Sequence, residues 1–341
     1  MVLKCADVIK KRGKYMEYRC VDRGRDRCPC ALSEVGQCYV CNMIRNGKCD
    51  CGDSWEGSCP YTEFVQSYGF RNEEFVSYDT FKPPIYSFEA EVKPYEKNLY
   101  VIEAKLIRGF STRFCEYGSF VMVHIESGYA FPLSVLLAEK GKTHDTLHIA
   151  VSLAGPKSIK FIDECSRSGK ISFSGPFYSG LINEKRLDEH KKTLVILRGI
   201  AIAPFINIMQ IELRKNKSLS NGAYFKKDEQ YGRNSEIFLD MHKLPEKFVD
   251  KYLANVDYKQ ISLDNKDELR RLSVYAANFE QIIFLASPYH TGEFLRLVPE
   301  RKSDIIISNS VNMCCGVGMC GACSHTDENG VTVRKCKCTD I

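Results

Sequence analysis

The stretch Thr193-Leu-Val-Ile-Leu-Arg198-Gly199-Ile-Ala-Ile-Ala-Pro204 decides the fold. Five of its first six residues are apolar or β-branched, which reads as a buried strand. The residues that follow, Ala203–Arg214, repeat apolar side chains at the 3.6-residue period of a helix. A strand that feeds a helix through a short turn is the first half of a βαβ unit. The same alternation continues downstream. Ser235–Met241, Tyr258–Leu263 and Gln281–Ala286 read as strands, and Asp264–Asn278 and Thr291–Val298 as helices. Together they predict a parallel, doubly wound α/β sheet. Residues 215–234 are polar and low in periodicity and read as a surface insertion.

Upstream the rhythm differs. Phe81-Lys-Pro83-Pro84 marks a linker. Five runs rich in β-branched and aromatic residues follow, Ile85–Val92, Leu99–Ile107, Ser119–Ile125, Leu147–Leu153 and Lys170–Ser174, with turn residues between them. That pattern predicts a small antiparallel barrel. A helical stretch, Ser158–Cys165, interrupts before the last strand.

The 17 cysteines form two groups separated by a long interval. Near the C-terminus stands Cys315-Gly-Val-Gly-Met-Cys320-Gly-Ala-Cys323, with Cys336 further on. This is C-x4-C-x2-C with one distal cysteine, the plant-type spacing for a [2Fe–2S] cluster. A zinc site or a group of reduced thiols is the alternative. Cys314 and Cys338 adjoin the spacing and read as spare thiols. Cys115 and Cys165 are isolated.

The second group is the N-terminal head, with Cys28-Pro-Cys30, Cys38-Tyr-Val-Cys41, Cys49-Asp-Cys51 and Cys59-Pro60. Seven residues separate each group from the next. Close cysteine pairs repeated at one interval suit a small domain that wraps metal instead of building an apolar core. The metal stays open between zinc and iron. Only Cys38 and Cys41 have ordinary zinc spacing, whereas Cys59-Pro60 matches the last ligand of bacterial ferredoxins. Cys20 or Cys5 is available as an eighth ligand.

The chain has 341 residues, 44% hydrophobic and 27% charged, with a net charge of +5. The charge is mild and dispersed, which argues against a nucleic-acid or membrane-surface partner. No apolar run reaches the roughly 18 residues of a membrane span. Residues 1–14 show no secretory signal. Cysteine-rich sequence without export points to a reducing compartment, and the expectation is an oxygen-poor cytoplasm. A nucleophile elbow, a phosphate-binding Gly-x-x-x-x-Gly-Lys loop and His-Glu-x-x-His are all missing from the sequence. His144 and His148 read as surface or strand histidines.

A barrel, then an α/β domain, then a C-x4-C-x2-C tail is a specific order. Over about residues 85–338 the chain resembles the ferredoxin–NADP reductase superfamily. Within it, the electron-transfer (iron–sulfur flavoprotein) subunits of dihydroorotate dehydrogenase are most similar. The stretches that carry the resemblance are Gly118-Ser-Phe-Val-Met-Val, Ser172-Phe-Ser-Gly-Pro176, Gly199-Ile-Ala-Ile-Ala-Pro204 and the run from Ser308 through the cysteine motif. The head lies outside that resemblance. The resemblance implies FAD on the barrel, NAD(P)H on the α/β domain, and a cluster between flavin and partner.

The departures concern both nucleotides. The family's flavin motif has an arginine before Pro-x-Ser, and this chain has Phe131-Pro132-Leu133-Ser134. The resemblance places the second phosphate loop at Gly155 and Ser158, with Lys157 or Lys160 available to replace the lost charge. At Leu197–Pro204 only Gly199 remains of a glycine-rich turn. Ile200 and Ile202 are expected to crowd the pyrophosphate there. The family's Cys-Gly-Pro reads Ala286-Ser287-Pro288. NAD(P) is therefore expected to be unlikely as a cofactor.

The predicted organisation is a metal-binding head over residues 1–80, an FAD-type barrel over 81–190, an α/β nucleotide-type domain over 191–303 and a cluster segment over 304–341. The expected function is an oxidoreductase subunit that relays electrons between a redox partner protein and FAD/[2Fe–2S], with an eroded NAD(P)H site. A non-enzymatic iron–sulfur scaffold or sensor that has lost flavin is the alternative, and a conventional NAD(P)H reductase is a third reading.

Overall fold

The computed structural model describes residues 84–126, 130–215, 234–254, 256–302, 304–309, 313, 323–326, 332–336 and 339. The chain divides into two compact units. One is Ile85–Ser310, and the other comprises Met1–Pro84 with Val311–Ile341.

The larger unit begins with β1 (Ile85–Tyr95), β2 (Leu99–Leu106), β3 (Phe120–His124), β4 (Ala130–Glu139), β5 (Asp145–Ser152), helix α1 (Pro156–Ser168) and β6 (Lys170–Phe177). The six strands close into an antiparallel barrel in the order β1-β2-β5-β4-β3-β6. Its interior is filled by Ile102, Val121, Val123, Val135, Ile149 and Phe173, and α1 adds Phe161 and Ile162 to the same core. Sequence reading found five of these strands and missed β4. Pro132 lies within it, and an internal proline argues against a strand because it removes a ladder N–H. The strand tolerates it by changing partners. Residues 130–134 pair with β3, and Val135–Glu139 pair with β5 through an irregular register.

The second layer is built from β7 (Leu181–Ile182), β8 (Thr193–Arg198), α2 (Ile202–Lys215), β9 (Ser235–Asp240), α3 (Glu246–Tyr252), β10 (Lys259–Gln260), α4 (Lys266–Tyr275), β11 (Gln281–Leu285), α5 (Pro288–Leu297) and β12 (Ile305–Ser308). The sheet order is β10-β9-β8-β11-β12-β7. Strands β8 to β12 run parallel, and β7 joins the edge antiparallel to β12. The direction of winding reverses between β8 and β11, so the switch point lies at their C-terminal ends. The expected strand Tyr258–Leu263 shrinks to two residues, and α3 and β12 lie outside the expected elements. Among the described residues no helix is long and apolar enough to cross a membrane.

Helix α2 is buried at every position from Ile202 to Leu213, four-sided rather than amphipathic. Its core cluster joins Val195, Leu197, Ile283 and Ile306 of the sheet to Val101, Leu136 and Ala150 of the barrel. The buried Gln210 acts as a further strand partner. Its Oε1 accepts from the Ala138 N–H at 2.9 Å and its Nε2 donates to the Ala138 carbonyl at 2.8 Å.

Gly118 and Gly180 fix the passage from barrel to sheet. The Gly180 N–H donates to the Gly118 carbonyl at 2.9 Å, and a Cβ on Gly180 would stand 2.5 Å from that oxygen. Gly118 has φ +69, in the left-handed region. Gly180→Ala should therefore cost about 1–3 kcal/mol, since backbone gives way less readily than a side-chain tip. Thermal unfolding should show a midpoint several degrees lower. Gly109→Ala, at φ +88 but in open space, should show less. Equal midpoints for wild type and Gly180→Ala would refute the close approach.

Candidate functional site

In the smaller unit, β13 (Ser324–Thr326) and β14 (Thr332–Arg334) form an antiparallel hairpin. One step beyond its last pair, the Lys335 N–H donates to the Cys323 carbonyl at 3.0 Å. This ladder sets Cys323 beside Cys336. Both cysteines are buried, and their Sγ atoms lie 3.1 Å apart. That is far beyond the ~2.05 Å of a disulfide. It falls between that length and the roughly 3.8 Å separating two sulfurs on one tetrahedral metal with ~2.3 Å bonds. Two buried thiols that converge this way suit a thiophilic metal. Cys315 and Cys320 of the motif, and Cys28, Cys30, Cys38, Cys41, Cys49, Cys51 and Cys59 of the head, lie outside the described residues.

On the barrel, Pro132, Leu133 and Ser134 lie in β4 opposite Met122, Val121 and Phe120. The Phe131 ring stands edge-on to Phe161 of α1, with centroids 5.5 Å apart. The side chain that replaces the family's arginine thus makes an apolar contact. Gly155 is the N-cap of α1, and the helix carries no acidic residue in its first turn. Ser158 Oγ accepts from the Ala154 and Gly155 N–H groups at 3.1 and 3.2 Å and donates to the Gly155 carbonyl at 2.9 Å. Its hydroxyl closes the cap from within. The positive end of a 13-residue helix, with Lys157 and Lys160 on it, is a fitting place for a phosphate. Position 131 offers it nothing.

At the switch point the outcome differs from expectation. Ile202 is fully buried, and Ile200 packs against the same core. Neither crowds the turn. Gly199 has φ +52 and carries the chain from strand to helix. What fills the edge is Arg198. Arg198 and Asp240 end neighbouring parallel strands in register. Buried at 8% and 5% exposure, they form an ion pair through Nη1 and Oδ2. Arg198 Nη2 donates to Asp264 Oδ2 at 2.8 Å and to His242 Nδ1 at 3.1 Å. Asp240 also accepts from the Leu263 N–H at 2.8 Å and the His242 N–H at 3.0 Å. His290 Nε2 meets Asp264 Oδ1 at 3.1 Å, and His290 Nδ1 meets Ser287 Oγ at 2.8 Å.

The electrostatics follow from this arrangement. The hydrogen bond from Arg198, then that from His290, holds the Asp264 carboxyl below its ordinary range. Burial, then the Arg198 charge, pulls His242 down, which agrees with its Nδ1 accepting a hydrogen bond. One guanidinium thus faces two carboxylates, so a pyrophosphate arriving here meets a cation that is already engaged. The strand and helix periodicity does not name the partners of Arg198. A usable signal existed: opposite charges end two apolar strands.

His148 is a buried strand histidine, with Nε2 at 2.8 Å from Glu139 Oε2. A cavity of about 400 Å³ opens near the opposite, N-terminal edge of the sheet, lined by Tyr117, Lys185, Glu212, Lys215 and Gln281 among others. It lies away from the groups described above and mixes both charge signs.

No protein-family model matches this chain, and no curated protein does. Solved structures do. A NADH-dependent reduced ferredoxin-NADP oxidoreductase, described in terms of flavin-based electron bifurcation, is 17% identical over 74% of this chain and 90% of its own, with a TM-score of 0.50. Phthalate dioxygenase reductase is 13% identical over 75% and 95%, with a TM-score of 0.49. The ferredoxin reductase of carbazole 1,9a-dioxygenase, in its FAD apo form, is 13% identical over 66% of each chain, with a TM-score of 0.44. At these identities the likeness concerns the fold alone: this chain is built like the ferredoxin–NADP reductases, a closed antiparallel barrel followed by a parallel α/β layer.

Proposed function

We propose that the chain is an electron-transfer iron–sulfur flavoprotein that relays electrons between a partner protein and FAD/[2Fe–2S]. The observation that carries this reading is the convergence of Cys323 and Cys336, with Sγ atoms 3.1 Å apart, in a chain whose barrel and sheet follow the reductase fold. Cys315 and Cys320 complete the ligand set by their spacing. The finer assignment is a subunit like the electron-transfer subunit of dihydroorotate dehydrogenase. The head, through Cys28 to Cys59, adds a second zinc or iron site.

When bound, a [2Fe–2S] cluster passes single electrons and FAD exchanges two, so the pair converts between the two kinds of traffic. The protein's own contribution is placement. The α1 N-terminus, with Gly155 and Lys157, holds the flavin pyrophosphate. Pro132, Leu133 and Ser134 line the flavin along β4. Cys323 and Cys336, both buried, would hold an iron away from water. The Arg198–Asp240–Asp264 network closes the dinucleotide edge, so electrons enter from a protein donor rather than from NAD(P)H. Such a relay requires a compartment that keeps thiols reduced, an oxygen-poor cytoplasm.

The scaffold reading, with flavin lost, has one observation in its favour, the Phe131–Phe161 contact in place of an arginine. One experiment separates the readings. The full chain, purified without oxygen, is assayed for iron, flavin and visible spectrum and then mixed with NADH, NADPH or dithionite. The relay predicts both cofactors, bleaching by dithionite, and no rapid bleaching by either nicotinamide. Iron without flavin means a scaffold. Fast reduction by NADH would restore the conventional reductase.

A further inference from the structure

The dinucleotide edge carries a second constellation that electron transfer does not use. Ser287 is the N-cap of α5, exposed at the switch point. Its Oγ lies 2.8 Å from His290 Nδ1, and His290 Nε2 lies 3.1 Å from Asp264 Oδ1. Asp264 is fixed in turn by Arg198 at 2.8 Å. An acid on Nε2 sets the tautomer: Nε2 carries the proton, and Nδ1 presents its lone pair to the serine hydroxyl. A nucleophile within reach of a base that a third group orients is the arrangement of covalent acyl transfer. The geometry points to a Ser287–His290–Asp264 esterase site for small carboxylic esters.

The surroundings suit that chemistry. His290 is buried at 7% exposure, so its ring is held in place, whereas Ser287 faces solvent. The first turn of α5 directs its positive end at the site. Pro288 has no N–H and the His290 N–H goes to Ser287 Oγ at 3.5 Å, so helix geometry leaves the Tyr289 N–H as the first-turn donor for a developing oxyanion. The Tyr289 ring, 64% exposed and perpendicular to the His290 ring at 5.1 Å, provides an apolar wall for the acyl or leaving group.

The steps balance without an outside reagent. Ser287 Oγ bonds to the ester carbonyl carbon as its proton passes to His290 Nδ1. The carbon–oxygen bond to the leaving group breaks, and the alkoxide takes that proton from Nδ1. Water then attacks the acyl-serine by the same route, releases the carboxylic acid and restores Ser287. Asp264 is a positioning residue, since among the described residues its carboxylate bonds to His290 and Arg198.

The test uses the full chain, a fluorophosphonate probe and p-nitrophenyl acetate. The expected result is a phosphonate adduct on the peptide containing Ser287, and ester hydrolysis that falls at least about 100-fold in Ser287→Asn. Asparagine also caps helices, so loss of rate with an unchanged melting temperature reports the nucleophile. Asp264→Asn should lower kcat about tenfold or more with KM within about twofold. An adduct elsewhere but not on Ser287, or hydrolysis unchanged in Ser287→Asn, overturns the proposal. If Ser287→Asn fails to fold, the labelling of wild-type protein alone decides. An unchanged kcat in Asp264→Asn removes the aspartate from the assignment. These readouts need neither iron nor flavin, so they succeed or fail apart from the electron-transfer reading.

Discussion

Replacing Cys336 with serine should strip roughly two irons and the visible absorption of a [2Fe–2S] centre from the anaerobically purified chain. Cys336 and Cys323 converge at 3.1 Å, so losing one sulfur leaves the other without the geometry that holds a metal. Serine is nearly isosteric but a harder and far less acidic ligand, which separates loss of ligation from loss of packing. Cys165→Ser is the internal control. Burial first, and then the neighbouring Glu164 charge, pushes the Cys165 thiol up to about 12. It remains protonated at neutral pH and ligates nothing. An unchanged iron content and spectrum in Cys336→Ser would overturn the cluster assignment.

The second large effect concerns stability. Arg198→Ala leaves Asp240, 5% exposed, buried opposite an empty space, with only the Leu263 and His242 amides to satisfy it. Removing one partner of a buried ion pair costs about 3–5 kcal/mol. Urea denaturation should show a lower midpoint at constant slope. The double variant Arg198→Met/Asp240→Leu should regain much of that loss, because the uncompensated charge leaves together with its partner. A loss below about 1 kcal/mol in Arg198→Ala would mean that water reaches the pair.

How legible this protein is from sequence depends on how local each signal is. The strand Thr193–Arg198 and the helix that follows declare themselves by periodicity and lie where expected. The barrel strands do too, except β4, whose proline and change of partner hide it. Lys259–Gln260 shows the converse: its flanks resemble a strand, yet only two residues pair. The cysteine motif could be proposed as a ligand set because the spacing of its first three members is a covalent constraint on a short loop. Of the Arg198 network only the opposite charges at two strand ends were legible, since Asp264 and His290 come from a loop and a helix and meet them only once the sheet forms. The turn at 199–202 teaches the same lesson from the other side. Ile200 and Ile202 looked obstructive as letters, but the helical twist turns them into the core.

The complete burial of α2 bears on how the larger unit holds together in time. A helix wrapped on every side cannot be peeled off at low cost. Its departure would expose the inner wall of the barrel and one face of the sheet together, and would strip Ala138 of the amide that completes its strand. Barrel and sheet therefore have no separate melting events to draw on, and partial opening of one is linked to the other. Slow breathing, and with it access for proteases and solvent protons, is directed to the outer shell of α3, α4 and the short edge strand β10.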